Sequence, residues 1–143
     1  MTRRKSGAKA ARESAPSAPS RRSPCPVACT LDILGDRWSL LVIRDLFAGK
    51  RRFRDLVASP EGIATNILAS RIERLAEAGL IAADASPDRA GSSEYRLTGR
   101  GESLLPLLTA LRDWGLEHIP GTAARVGVRA KTPARRRTDS LTR

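Results

Sequence analysis

The sequence predicts a mainly α-helical domain carrying one small β-hairpin, and three observations predict it. Apolar residues recur at helical or strand spacing from Val27 to Ile119 but almost vanish from both ends. The stretch from Gly62 to Gly79 is amphipathic with a helical period and is punctuated by its final glycine. Two short strand-like runs follow at once, Leu80 to Ala85 and Ser93 to Leu97, separated by Ser86-Pro87-Asp88-Arg89-Ala90-Gly91-Ser92. A chain of 143 residues has room for one domain with a real core.

The elements can be justified in chain order. Pro24-Cys25-Pro26 opens the patterned region, and proline is well tolerated in a first helical turn. Val27, Leu31 and Leu34 line one face of a short helix that Gly35 ends. Trp38, Leu40, Leu41, Ile43, Leu46 and Phe47 form a helix apolar on most sides, stopped at Gly49, which belongs at the centre of the fold. Trp38 is expected in that packing, with a ligand-stacking role as the alternative. Phe53, Leu56 and Val57 have the spacing of a short helix, preceded by Lys50-Arg51-Arg52-Phe53-Arg54, the one dense basic cluster of the central region. Thr98 is placed to cap a last helix with an apolar stripe of Leu104, Leu107, Leu108, Leu111 and Trp114, bent by Pro106.

Charge divides the chain into three parts. The formal net charge is +11. Residues 1–24 carry seven Arg or Lys against one Glu, and residues 121–143 carry seven against one Asp, so each end holds +6. Residues 25–120 hold 12 basic and 13 acidic side chains, a balance of −1. Neither end has the apolar surface to offset ordering entropy, so both are expected to be disordered basic tails around a domain at 25–120. As arms they suit phosphate backbones, with salt-dependent and sequence-tolerant affinity; as solvated tails they do nothing of the kind. The excess of Arg over Lys, 22 to 4, fits phosphate recognition and fits a biased base composition equally well.

The same inventory excludes several classes. No apolar segment follows the basic N-terminal residues, and no run approaches the ~18 apolar residues of a membrane span, so a cytoplasmic protein without a membrane partner is expected. Cys25 and Cys29 are too few for a disulfide-built fold and lack a second pair of metal ligands. The single histidine, His118, has no acid or nucleophile spaced to work with it, and no glycine-rich phosphate loop is present. Neither catalysis nor a cofactor is expected.

The amphipathic helix at about 64–78 carries the functional reading. If Leu68 marks its buried direction, Ile72 and Leu75 lie within about a tenth of a turn of it. Asn66, Ser70, Glu73 and Glu77 then face away, with Thr65, Ala69 and Arg74 on the flanks. The N-terminal half of that face is small and hydrogen-bonding. Such a surface enters a major groove, where Asn pairs bidentately with adenine and Ser with several base edges. Glu73 and Glu77 repel phosphate, as suits a helix inserted by its N-terminal end, while Arg71 and Arg74 sit where backbone phosphates belong. An ordinary surface helix is the alternative. Arg52 and Arg54 in the basic cluster are placed to hold a phosphate, or else to solvate a helix start. The hairpin at about 80–97 is the wing, and Arg89 at its tip can reach the minor groove or phosphates, with Asp88 beside it as a counterweight. These elements together describe a winged helix-turn-helix. The last helix, apolar beyond what one core needs, is a candidate for pairing with a second copy, so that two recognition helices reach successive groove faces.

In this order the residues resemble the HxlR-type family of winged-helix transcriptional regulators. The resemblance rests on Cys25-Pro26, Leu31-Asp32-Ile33-Leu34-Gly35-Asp36-Arg37-Trp38 and Arg52-Phe53-Arg54-Asp55-Leu56. It continues through Gly62-Ile63, Leu68-Ala69-Ser70-Arg71-Ile72-Glu73-Arg74-Leu75 and Ala78-Gly79-Leu80. Tyr95-Arg96-Leu97-Thr98-Gly99-Arg100-Gly101, Leu104-Leu105 and Trp114 complete it. It covers the central region and neither tail. The resemblance implies a homodimer, dimerising through its terminal helices, that binds double-stranded operator DNA as repressor or activator. It maps base or phosphate contact onto Thr65, Asn66, Ser70, Arg71 and Arg74, with Arg52 supporting and Arg89 contributing from the wing. Some members use a cysteine before the first helix to sense electrophiles or oxidants, and that position is Cys25, where a helix N-terminus favours thiolate chemistry. A structural cysteine is the other reading, and an effector remains open. The rival function is a non-specific DNA-binding architectural protein that relies on its basic tails.

Overall fold

The computed structural model describes residues 22–124. The tails expected at 1–24 and 121–143 lie outside the described residues except for 22–24 and 121–124. Helix α1 spans Pro26–Leu34, with its proline in the first turn, and ends where the Gly35 amide donates to the Leu31 carbonyl at 2.7 Å. Helix α2 spans Ser39–Phe47, α3 Phe53–Val57 and α4 Thr65–Glu77. The hairpin is β1, Ile81–Ala85, antiparallel to β2, Ser93–Leu97, with Ile81 opposite Leu97 and Ala85 opposite Ser93. Two helices follow, α5 over Gly99–Glu102 and α6 over Leu105–His118.

The apolar pattern produces one core. Ile43 and Leu46 of α2 meet Leu56 of α3, Leu68, Ile72 and Leu75 of α4, and Leu80 and Ile81 at the start of the hairpin, all buried. Burial of this kind is worth about 1.5–3 kcal/mol per large aliphatic side chain. Trp38 packs half-buried against the cluster, with the Arg37 guanidinium 5.3 Å from its ring centroid.

The end of α4 shows how sequence punctuation fixes a direction. Gly79 has φ +73°, its amide donates to Ala76, and the Leu80 amide donates back to Leu75 at 3.0 Å. That pair of bonds is a Schellman motif, which a glycine makes accessible. It turns the chain straight into β1 and buries Leu80. Thr98 then ties the far end of the hairpin to the same corner: its hydroxyl donates to the Gly79 carbonyl at 2.6 Å and accepts from the Gly101 amide at 3.1 Å. Gly101 lies so close beneath that a Cβ there would meet the Leu80 carbonyl oxygen at 2.0 Å.

Thr98 caps α5 rather than the long last helix, and Pro106 does not bend that helix from within. Proline lacks the amide that would bond to Glu102 and its ring crowds that carbonyl, so α5 stops and the chain restarts with Pro106 in the first turn of α6.

Asp45 is 2% exposed within α2 and unifies three segments. It accepts from the Arg44 guanidinium at 2.9 and 3.0 Å, from Lys50 at 3.2 Å and from the Ser59 hydroxyl. Lys50 also donates to Ser59 at 2.6 Å. Arg44 reaches on to Glu61 with two bonds of 2.6 and 2.9 Å, and this guanidinium holds the Glu61 carboxyl down at about 2. The network pins the α3–α4 connection to α2. Asp45→Ala leaves Arg44, Lys50 and Ser59 short of their shared acceptor and is expected to destabilise the fold by about 2–3 kcal/mol. A lower urea midpoint at unchanged m-value is the expected reading, and an unchanged midpoint would count against the network.

Candidate nucleic-acid interface

Helices α3 and α4 and the connection between them form the helix-turn-helix, and burial fixes how α4 is rotated. Leu68 is 0% and Leu75 1% exposed, so the opposite side must face solvent. Thr65, Asn66, Ala69, Ser70, Glu73, Arg74 and Glu77 are all exposed, as the period required. No side chain caps the helix start, where Ala64 is the N-cap residue. The first-turn amides and the small polar groups therefore share one open end. The acidic residues lie further along, as the spacing predicted.

The arginines divide into two groups. Arg54 is 69% exposed on α3, with Asp55 a distant 3.8 Å away, and Arg89 is exposed in the loop of the hairpin. Arg74 is exposed and makes a long 3.4 Å bond to the Asp32 carbonyl. Arg52 and Arg71 are instead paired with carboxylates of the chain itself. Arg71 is half-buried with its Nε 3.0 Å from Asp36. Arg52 donates to Asp88 at 2.9 Å and to Glu94 at 3.3 Å. Arg51, its neighbour, is turned inward onto the Leu46 carbonyl at 2.9 Å.

Asp36 is a residue that helical periodicity passes over. Its carboxylate accepts from the Trp38 and Ser39 amides at 2.8 and 3.0 Å and from the Ser39 hydroxyl, so it braces the turn that leads into α2 while gripping Arg71 on α4. Burial pushes the Asp36 carboxyl up, but these hydrogen bonds and the Arg71 charge outweigh it and hold the group below the usual carboxylate range. An Asp whose side chain accepts from amides two and three residues on is a common turn-stabilising residue. The Arg71 half of the pair is visible only in three dimensions.

The hairpin stands beside α3. The Tyr95 amide donates to the Arg51 carbonyl at 2.7 Å, and Arg52 forms an isolated antiparallel bridge with Glu94, so the residues before α3 extend the two-stranded sheet. Arg52, Phe53, Arg54, Arg89 and Tyr95 line one open groove between α3 and the wing. Cys25 is exposed at the N-cap of α1, its amide bonded to the Ser23 hydroxyl. Cys29 is half-buried and its thiol donates to the Ser23 carbonyl at 3.0 Å. No helix among the described residues is long and apolar enough to cross a membrane.

Comparison with known proteins places this geometry. The family model of the HxlR-like helix-turn-helix matches residues 33–123. The HTH-type transcriptional regulator sll1512 of Synechocystis is 37% identical over 95 residues, 66% of this chain and 70% of its own length. The regulator Mb3122 of Mycobacterium bovis is 40% identical over 93 residues, 63% of this chain, which spans only 56% of that relative. Among solved structures, PA1607 is 42% identical with a TM-score of 0.65 over 71% of this chain and 72% of its own. The oxidised redox regulator HypR is 26% identical with a TM-score of 0.59 over 65% of this chain and 96% of its own. The hairpin is thus the wing of a winged helix, and the chain belongs to the HxlR-like helix-turn-helix family of transcriptional regulators.

Proposed function

We propose that this chain recognises a specific double-stranded DNA sequence as a cytoplasmic homodimer, reading bases with Thr65, Asn66 and Ser70. The single observation that carries this reading is the exposed, small, hydrogen-bonding N-terminal half of α4, held outward by the burial of Leu68, Ile72 and Leu75. Arg54, Arg74 and Arg89, exposed around it, supply backbone contacts, and the operator is their common partner. A near-neutral central region leaves sequence preference to that face, whereas a purely architectural protein would bind through its basic ends without preference.

The dimer reading rests on where apolar surface is left over. Val27 and Leu31 on α1, and Leu111, Trp114 and Leu116 on α6, are between 44% and 65% exposed, while Leu108 is the one buried residue of α6. Two helices that leave this much apolar surface in water fit a second copy. A thiol-sensing role is supported by the exposure of Cys25 at the start of α1 and by the likeness to HypR, itself named a redox regulator. An oxidant or electrophile acting there would alter the same helix that carries Val27 and Leu31.

Selection from random duplex DNA should yield one motif whose affinity exceeds that for random sequence as salt rises; equal loss on both would favour the architectural reading. Asn66→Glu and Ser70→Glu should abolish the gel shift on that motif with the dimer intact, and an unchanged shift would sink the assignment. Leu111→Glu with Trp114→Glu should give a monomer by analytical ultracentrifugation, with operator affinity at least tenfold weaker. Hypochlorite or a quinone should release the natural chain from DNA and leave Cys25→Ser bound, and equal responses of the two would dispose of the sensor.

A further inference from the structure

We propose that Arg52 is a positioning residue that fastens the wing, and that it acts on DNA only through the wing. The inference rests on the DNA-binding reading above and changes the role that residue spacing gives Arg52. Its guanidinium reaches two parts of the hairpin at once: Asp88 in the loop at 2.9 Å and Glu94 on β2 at 3.3 Å. Glu94 is further held by the Ser86 hydroxyl at 3.3 Å, on the other side of the loop. Beneath these side chains the Arg52–Glu94 bridge and the Tyr95-to-Arg51 bond join the backbones. A planar fork suits this double engagement, since two acceptors take separate N–H groups. With its donors aimed at two carboxylates and its side chain only 32% exposed, Arg52 is engaged by the hairpin.

The consequence is a division of labour across the groove. Arg54 and Arg89 line the same groove as Arg52 and stay exposed. By holding Asp88, Arg52 fixes the residue next to Arg89 and neutralises a carboxylate that would otherwise face phosphate. Asp88 thereby becomes an anchor of the wing rather than a flaw in it.

A double-mutant cycle on the selected operator tests this, with Arg52→Ala, Asp88→Asn and the double variant measured beside the natural chain. Removing the Asp88 charge favours DNA in every background, so the sign of the coupling decides. For a positioning pair, Asp88→Asn helps binding more, by roughly two- to fivefold, when Arg52 is already Ala, because only the natural chain has a clamp to lose. For a phosphate-contacting Arg52, Asp88→Asn helps more in the natural chain, because it releases the arginine. That reversed sign, or no coupling, overturns the proposal. Hydrogen exchange on the DNA-free protein is the second arm. Arg52→Ala should speed exchange in residues 86–94 while α4 is unchanged, and unaltered wing exchange also overturns the proposal. A natural chain that selects no DNA would defeat the regulator reading instead, and exchange alone would then decide whether Arg52 fastens the wing.

Discussion

The interface depends on the seating of α4 against α2. Three aliphatic side chains of α4 enter a core whose centre is Ile43 and Leu46, and this burial sets both the depth and the rotation of the helix. Because a helix has only one angular degree of freedom about its axis, fixing Leu68, Ile72 and Leu75 inward presents Thr65, Asn66 and Ser70 outward. The Schellman turn at Gly79 and Leu80 and the Thr98 bond to Gly79 then carry the same orientation into the wing. The outward face of α4 and the hairpin are therefore set by one packing event.

Polar networks refine what apolar packing begins. Asp45, buried in α2, gathers Arg44, Lys50 and Ser59 and so locates the connection that leads into α4. Asp36 accepts from the amides that lead into α2 and reaches Arg71, which adds a directional tie between the same two helices. Each carboxylate serves two or more segments, and each would be expensive to leave unpaired at its depth. The outcome is that several basic side chains are consumed in holding the domain together. The free cationic surface around α4 is narrower than the arginine count implies, since Arg44, Arg51, Arg52 and Arg71 all have internal partners.

The distribution of apolar surface separates the two ends of the domain. Around α4 and the wing the exposed face is small and polar, whereas α1 and α6 leave Val27, Leu31, Leu111 and Trp114 in the open. Polar groups of fixed geometry give specificity against a hydrogen-bonding partner, and apolar surface gives affinity for another apolar surface. Cys25, exposed at the start of α1, lies on the helix that carries Val27 and Leu31.

Periodicity and punctuation alone determined the first four helices, the hairpin and the exposed face of α4, because those features depend on neighbours three or four residues apart. Gly35, Gly79 and the 3.6-residue spacing of Leu68, Ile72 and Leu75 are local signals, and the structure places each element within a few residues of where they fall. The division of the last segment at Pro106 was also written locally, in the proline's missing amide, but its weight against a strong apolar stripe emerged only in the fold. What tertiary structure decided was the fate of charge. Whether an arginine meets water, a phosphate or a carboxylate depends on residues 35 or 36 positions away, as with Arg71 and Asp36 or Arg52 and Asp88. No period in the sequence encodes such pairs; folding must first bring their elements side by side.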